Sequence, residues 1–84
     1  NFDIIIDDGL HEINANKIFF ENSHHKLNIG GVYIIEDCHT QMRKNFTSLI
    51  NQWKLQYPNF TFWINTLQHK NTFDNGLIVI KREY

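Results

Sequence analysis

Two pairs of acids sit where chemistry is easily done: Asp7-Asp8 directly follows Ile4-Ile5-Ile6, and Glu36-Asp37 directly follows Val32-Tyr33-Ile34-Ile35. If both apolar runs are parallel strands of one sheet, four carboxylates gather at one edge, where strands lie about 4.8 Å apart and like charges repel. A cation relieves that repulsion. Oxygen donors without thiolates favour Mg²⁺ or a similar hard ion, which keeps open positions for water or substrate oxygens. Asp8, Glu36 and Asp37 are the candidate ligands. Period-two alternation points Asp7 away from Asp8, toward a backbone hydrogen bond or the cofactor side, so Asp7 is read as cofactor-binding. His11, three residues after Asp8, is the candidate general base. His39 is a second candidate for the same crevice, as ligand, substrate contact or solvated loop residue. Taken singly, each of these acids reads as a solvated turn former, as Asp-Gly commonly is; the matched pairs are what point to function.

The elements that must position these groups are legible as patterns. Phe2–Ile6 is a short continuous apolar run, expected to be a central strand buried on both faces of a parallel sheet. From Glu12 to about Leu27, Ile13, Phe20 and Leu27 recur at seven-residue steps, which predicts a helix. Gly30-Gly31 is expected to end that helix and release the chain into a second strand, Val32–Ile35. Thr40 can cap a second helix running to about Gln56, with Phe46, Leu49, Ile50 and Trp53 as its apolar stripe and Pro58 at its exit. Phe60–Ile64 and Leu77–Ile80 read as two further strands forming a hairpin across the polar, turn-rich stretch from Leu67 to Asn75. Strands alternating with helices predict an α/β sheet with its ligand crevice beyond the carboxyl ends of the parallel strands.

Composition narrows the classes. The chain has 84 residues, 42% of them hydrophobic and 14% aromatic, which excludes a disordered tail and allows one domain or part of one. A formal net charge of −1 creates no field that would draw it to nucleic acid or an anionic membrane. The longest apolar run falls far short of the roughly 20 residues of a spanning helix. A soluble, cytoplasmic protein is expected. Cys38 is the lone cysteine, which rules out an internal disulfide. His24 and His25 suit the end of the first helix, and His69 lies in a polar loop. Met42, Arg43 and Lys44 start the second helix near the acid edge but read as ordinary surface residues. Trp53, Trp63, Phe60 and Phe62 read as core or sheet-face residues.

The run Phe2-Asp3-Ile4-Ile5-Ile6-Asp7-Asp8-Gly9-Leu10-His11, continuing through Phe20 to Gly30-Gly31-Val32-Tyr33-Ile34-Ile35-Glu36-Asp37, resembles the macrocin and mycinamicin sugar O-methyltransferase family. The likeness covers about half the chain, and Leu10 stands where the family pattern has serine. It implies a partial Rossmann-like class I methyltransferase fold, β-α-β-α followed by a β-hairpin. Residues 1–84 would then be the C-terminal portion of a single domain lacking the N-terminal cofactor-binding half. It also implies that Asp8, Glu36 and Asp37 bind Mg²⁺ and that His11 removes the proton from the hydroxyl being methylated. The family's methyl donor is S-adenosylmethionine, held by a glycine-rich loop and an acid that have no counterpart in this sequence. Activity is therefore expected of a longer parent.

The expected function is S-adenosylmethionine-dependent O-methylation of a sugar or other small hydroxylated substrate, in a protein compatible with homo-oligomer formation. Two rivals remain open. One is another Rossmann-like metal-dependent hydrolase, because strand-end acids serve many chemistries. The other is a non-catalytic fragment whose sheet edge pairs with another chain.

Overall fold

The computed structural model describes residues 1–8, 12–38, 40–67 and 75–84. Its elements run β1 (Phe2–Asp7), α1 (Ile13–Ser23), a short 3₁₀ turn (His24–Lys26), β2 (Leu27–Cys38), α2 (Thr40–Gln56), β3 (Phe60–Leu67) and β4 (Asn75–Arg82). The four strands make one mixed sheet in the order β1-β2-β4-β3. β1 and β2 are parallel, and β4 runs antiparallel to both β2 and β3. The expected hairpin is present. Its second strand, however, turns back between β2 and β3 and joins the hairpin to the rest of the sheet.

Both helices lie on one face of the sheet, for a reason that follows from topology. β1, β2 and β3 run in one direction and step across the sheet in one sense, so crossovers of a common hand place α1 and α2 on the same side. The core there joins Phe20 of α1, Tyr33 and Ile35 of β2, Phe46, Leu49, Ile50 and Trp53 of α2, Phe60 and Phe62 of β3, and Ile78 and Ile80 of β4. The register explains the choice: Tyr33 stands opposite Ile80, and Ile80 opposite Phe62, so all three point to one side. Phe20 is the centre of the cluster, with its ring 4.4 Å from Trp53, 5.1 Å from Tyr33 and 5.6 Å from Tyr57. The α2 stripe expected from sequence is the one buried.

The other face departs from expectation. Ile4 and Ile6 are 62% and 54% exposed, and Trp63 on the same side is 43% exposed. β1 is thus an edge strand rather than a central one: Ile5 is half-buried toward the helices, and Ile4 and Ile6 face the side for which the described elements supply no helix.

The first helix also ends earlier than its seven-residue pattern suggests. It stops at Ser23, His24 and His25 fall in the 3₁₀ turn, and Leu27 already belongs to β2. Leu27 is buried, but as a strand residue. The glycine pair lies inside β2, where Phe2 opposes Leu27 and Ile4 opposes Val32, so β1 moves on by two residues where β2 moves on by five. Gly30 carries φ +82° within this bulge, a left-handed conformation that side chains disfavour. A Cβ on Gly31 would come within 2.8 Å of the Asn28 carbonyl oxygen. Arg82 donates from Nη1 to the Leu27 carbonyl at 2.5 Å, and Asn28 Nδ2 donates to Asp3 Oδ1 at 3.0 Å, which ties the bulge to the strands on either side. Glycine thus permits a strand irregularity here rather than a helix stop.

Candidate functional site

The parallel pairing of β1 with β2 brings both acid pairs toward one edge, although β2 runs on through Glu36 and Asp37 to Cys38 where the sequence pattern ended it at Ile35. Asp7 stands opposite Ile35, so Asp8 and Glu36 each come one residue later on adjacent strands. Ile35 is on the helix-covered face, which assigns Asp7 to that face and Glu36 to the alternate set with Ile34 and Val32. Asp8 is exposed at the end of β1 and Glu36 is half-buried. Both offer hard oxygen donors, a chemistry that fits Mg²⁺.

Asp7 has a different environment. It is 7% exposed, and its Oδ2 accepts a 2.7 Å hydrogen bond from Nδ2 of Asn16, itself 4% exposed, in the first turn of α1. The expected divergence of Asp7 from Asp8 is observed; its partner is a helix side chain. Asn16 is the residue that sequence reading missed. The signal was present, since Asn16 follows Ile13 by three residues and precedes Phe20 by four, on the stripe that faces the sheet.

Tyr33 borders the same region from β2. It is fully buried, and no partner of acceptable geometry meets its hydroxyl; the Asn16 Oδ1 atom is in the same position. Burial pushes the Tyr33 phenol well above its ordinary range; the neighbouring Ser23 hydroxyl opposes that shift and the Asp7 charge adds to it. Ser23 Oγ itself donates to the Phe19 carbonyl at 2.5 Å, which takes its proton away from Tyr33.

His11 and His39, and the side chains of Asp37, Cys38, Met42, Arg43 and Lys44, lie outside the described residues, as does His69. Of the four proposed ligand and base positions, Asp8 and Glu36 are thus the two whose placement is described. Among the described residues, no three His, Cys, Asp or Glu side chains come together as a metal-holding group. No described helix is long and apolar enough to cross a membrane. His24 has an ordinary structural setting, its ring 4.5 Å from Tyr57 and 5.5 Å from Phe20. Burial lowers its pKa, helped by the charges of His25 and Arg82 and opposed by Glu21.

No family model matches the chain, and neither a curated protein nor a solved structure does.

Proposed function

We propose that this chain carries the acid-lined edge of a Rossmann-like, Mg²⁺- and S-adenosylmethionine-dependent O-methyltransferase acting on a hydroxyl of a sugar or other small hydroxylated substrate. The observation that carries the reading is the parallel register, with Asp8, just past the end of β1, and Glu36, near the carboxyl end of β2, each one step beyond the Asp7–Ile35 pair. Ligands collect at that edge in open α/β sheets. In this reading Asp8, Glu36 and Asp37 hold the metal, which supplies Lewis acidity toward a substrate hydroxyl. His11 accepts the proton of that hydroxyl as the oxygen becomes nucleophilic. The glycine-rich loop and the acid that the resemblance assigns to the methyl donor have no counterpart among these 84 positions. Asp7 is directed to Asn16, which sets it behind the metal-facing acids.

The uncovered apolar face and the outer edge of β1 favour one alternative, a non-catalytic unit that completes its sheet against another chain. A hydrolase using the same acids is the other. The first test is calorimetric titration of Mg²⁺ and Mn²⁺ into the chain and into Asp8→Asn and Glu36→Gln, each checked for folding by circular dichroism. Binding that both substitutions abolish supports the metal reading. A folded parent chain that binds neither ion contradicts it.

A further inference from the structure

Asp7 and Asn16 form a polar contact where an apolar one would cost less. Both side chains are nine-tenths or more buried, and taking a carboxylate and an amide out of water is unfavourable even when they meet. The contact is also incomplete. Asn16 Nδ2 donates to Asp7 Oδ2 at 2.7 Å, while Asn16 Oδ1 is buried with no partner. The amide orientation follows from chemistry, since turning it over would set a carbonyl oxygen against a carboxylate oxygen.

Its geometric consequence is specific. Asn16 lies in the first turn of α1, where its backbone N–H donates to the Glu12 carbonyl at 3.0 Å, so its side chain projects from a fixed helical frame. The bond ties the last residue of β1 to that frame and commits Asp7 to the helix-covered face. Side chains alternate along a strand, so holding Asp7 inward turns the following residue, Asp8, outward to the set that includes Glu36. The Asp7–Ile35 pairing holds the backbone at the end of β1, and the bond adds a side-chain tie to α1; without that tie the relation of Asp8 to Glu36 would loosen.

We infer that Asn16 is a positioning residue for the acid edge, acting through Asp7 to hold Asp8 beside Glu36. The inference rests on the metal-binding reading above for its functional readout, but the geometry can be tested without it. It predicts that the hydrogen bond matters and the charge of Asp7 does not.

Three variants separate those two properties. Asp7→Asn retains the bond and adds a donor that can satisfy Asn16 Oδ1. Asn16→Asp sets two carboxylates against each other and breaks it. The exchange Asp7→Asn with Asn16→Asp restores an amide-to-carboxylate bond with the charge moved to the helix. Mn²⁺ affinity is measured by calorimetry, and the Asp8 and Glu36 backbone amides are followed by ¹H–¹⁵N NMR. The expected result is near-parent Mn²⁺ affinity for Asp7→Asn, a loss of about ten- to a hundredfold for Asn16→Asp, and recovery in the exchange variant. The Asp8 amide should shift in Asn16→Asp and return in the exchange. If Asn16→Asp does not fold, Asn16→Ala, which removes the donor without adding a charge, takes its place and carries the same expected loss.

Loss of Mn²⁺ binding in a folded Asp7→Asn, with no recovery in the exchange variant, would overturn the inference by showing that the charge itself is used. An unmoved Asp8 amide in a folded Asn16→Asp would overturn it as well. A parent chain that binds no Mn²⁺ defeats the proposed function instead; the Asp8 amide shifts then uphold or overturn the positioning role alone.

Discussion

The two faces of the sheet are built from similar residues and meet opposite fates. On one, Tyr33, Ile35, Ile78, Ile80, Phe60 and Phe62 disappear beneath α1 and α2. On the other, Ile4, Ile6 and Trp63 remain largely exposed and Val32, Ile34, Leu77 and Val79 are half-buried. The difference lies in topology rather than in hydrophobicity. Both crossovers deliver their helices to one side, so strands with apolar residues on both sides are covered on only one. An exposed face of this size with a free edge beside it is the kind of surface that pairs or packs with something else.

That contrast fixes an order of effects. Phe20→Ala or Trp53→Ala should cost about 3–5 kcal/mol, because each empties the centre of the aromatic cluster. Urea unfolding would show it as a large fall in the midpoint, or as failure to fold. Ile4→Thr or Ile6→Thr should cost less than about 1 kcal/mol, since little apolar area is removed from water there. Equal costs on the two faces would break the comparison, and would mean that the open face is covered in solution. Sedimentation of the parent chain and of the Ile6→Thr variant sharpens the point: association that the substitution weakens identifies that face as the contact.

Smaller effects come from titration. The Tyr33 phenol is raised in the folded state, so the folded protein keeps its proton where the unfolded chain releases it. The stability linked to this group is complete below the unfolded value of about 10 and falls as pH rises above it. Tyr33→Phe should remove that alkaline loss and be neutral or stabilising near pH 7, because it replaces an unpartnered buried hydroxyl. Thermal melts at neutral and alkaline pH would check both. His24 has the opposite sign. Its pKa is lowered, so its contribution is present above the unfolded value of 6.5 and declines as pH falls below it. His24→Gln should flatten that acid limb slightly, as measured by melts on either side of pH 6.5.

How much of this was legible in the sequence depended on whether the signal was local. The α2 stripe was readable because four apolar residues at helical spacing have one way to be buried. The hairpin was readable from its turn-rich connection. The insertion of β4 between β2 and β3 was not, because strand order is set by long-range pairing that local patterns do not encode. Gly30-Gly31 misled for a physical reason: a positive φ ends helices and also accommodates bulges, and here the second use applies. At the site, the position of Asp8 just past β1 followed from the strand pattern, whereas β2 runs on through Glu36 and Asp37 to Cys38 instead of ending before its acids. The burial of Asp7 against Asn16 needed the helix placed on the sheet before the two could be seen to meet. The bare face could not be read at all, since an apolar run is the same whether or not something covers it.

The acid just past the end of β1 and those near the end of β2 are proposed to form one divalent-metal site. Substoichiometric Mn²⁺ added to ¹⁵N-labelled protein tests it directly, because paramagnetic broadening falls away steeply with distance from the ion. Broadening is expected to concentrate at the amides of Asp8 and Glu36 and to spare the opposite end of the sheet, around Phe2 and Phe60. Broadening centred elsewhere, or its absence at both acids, would contradict it.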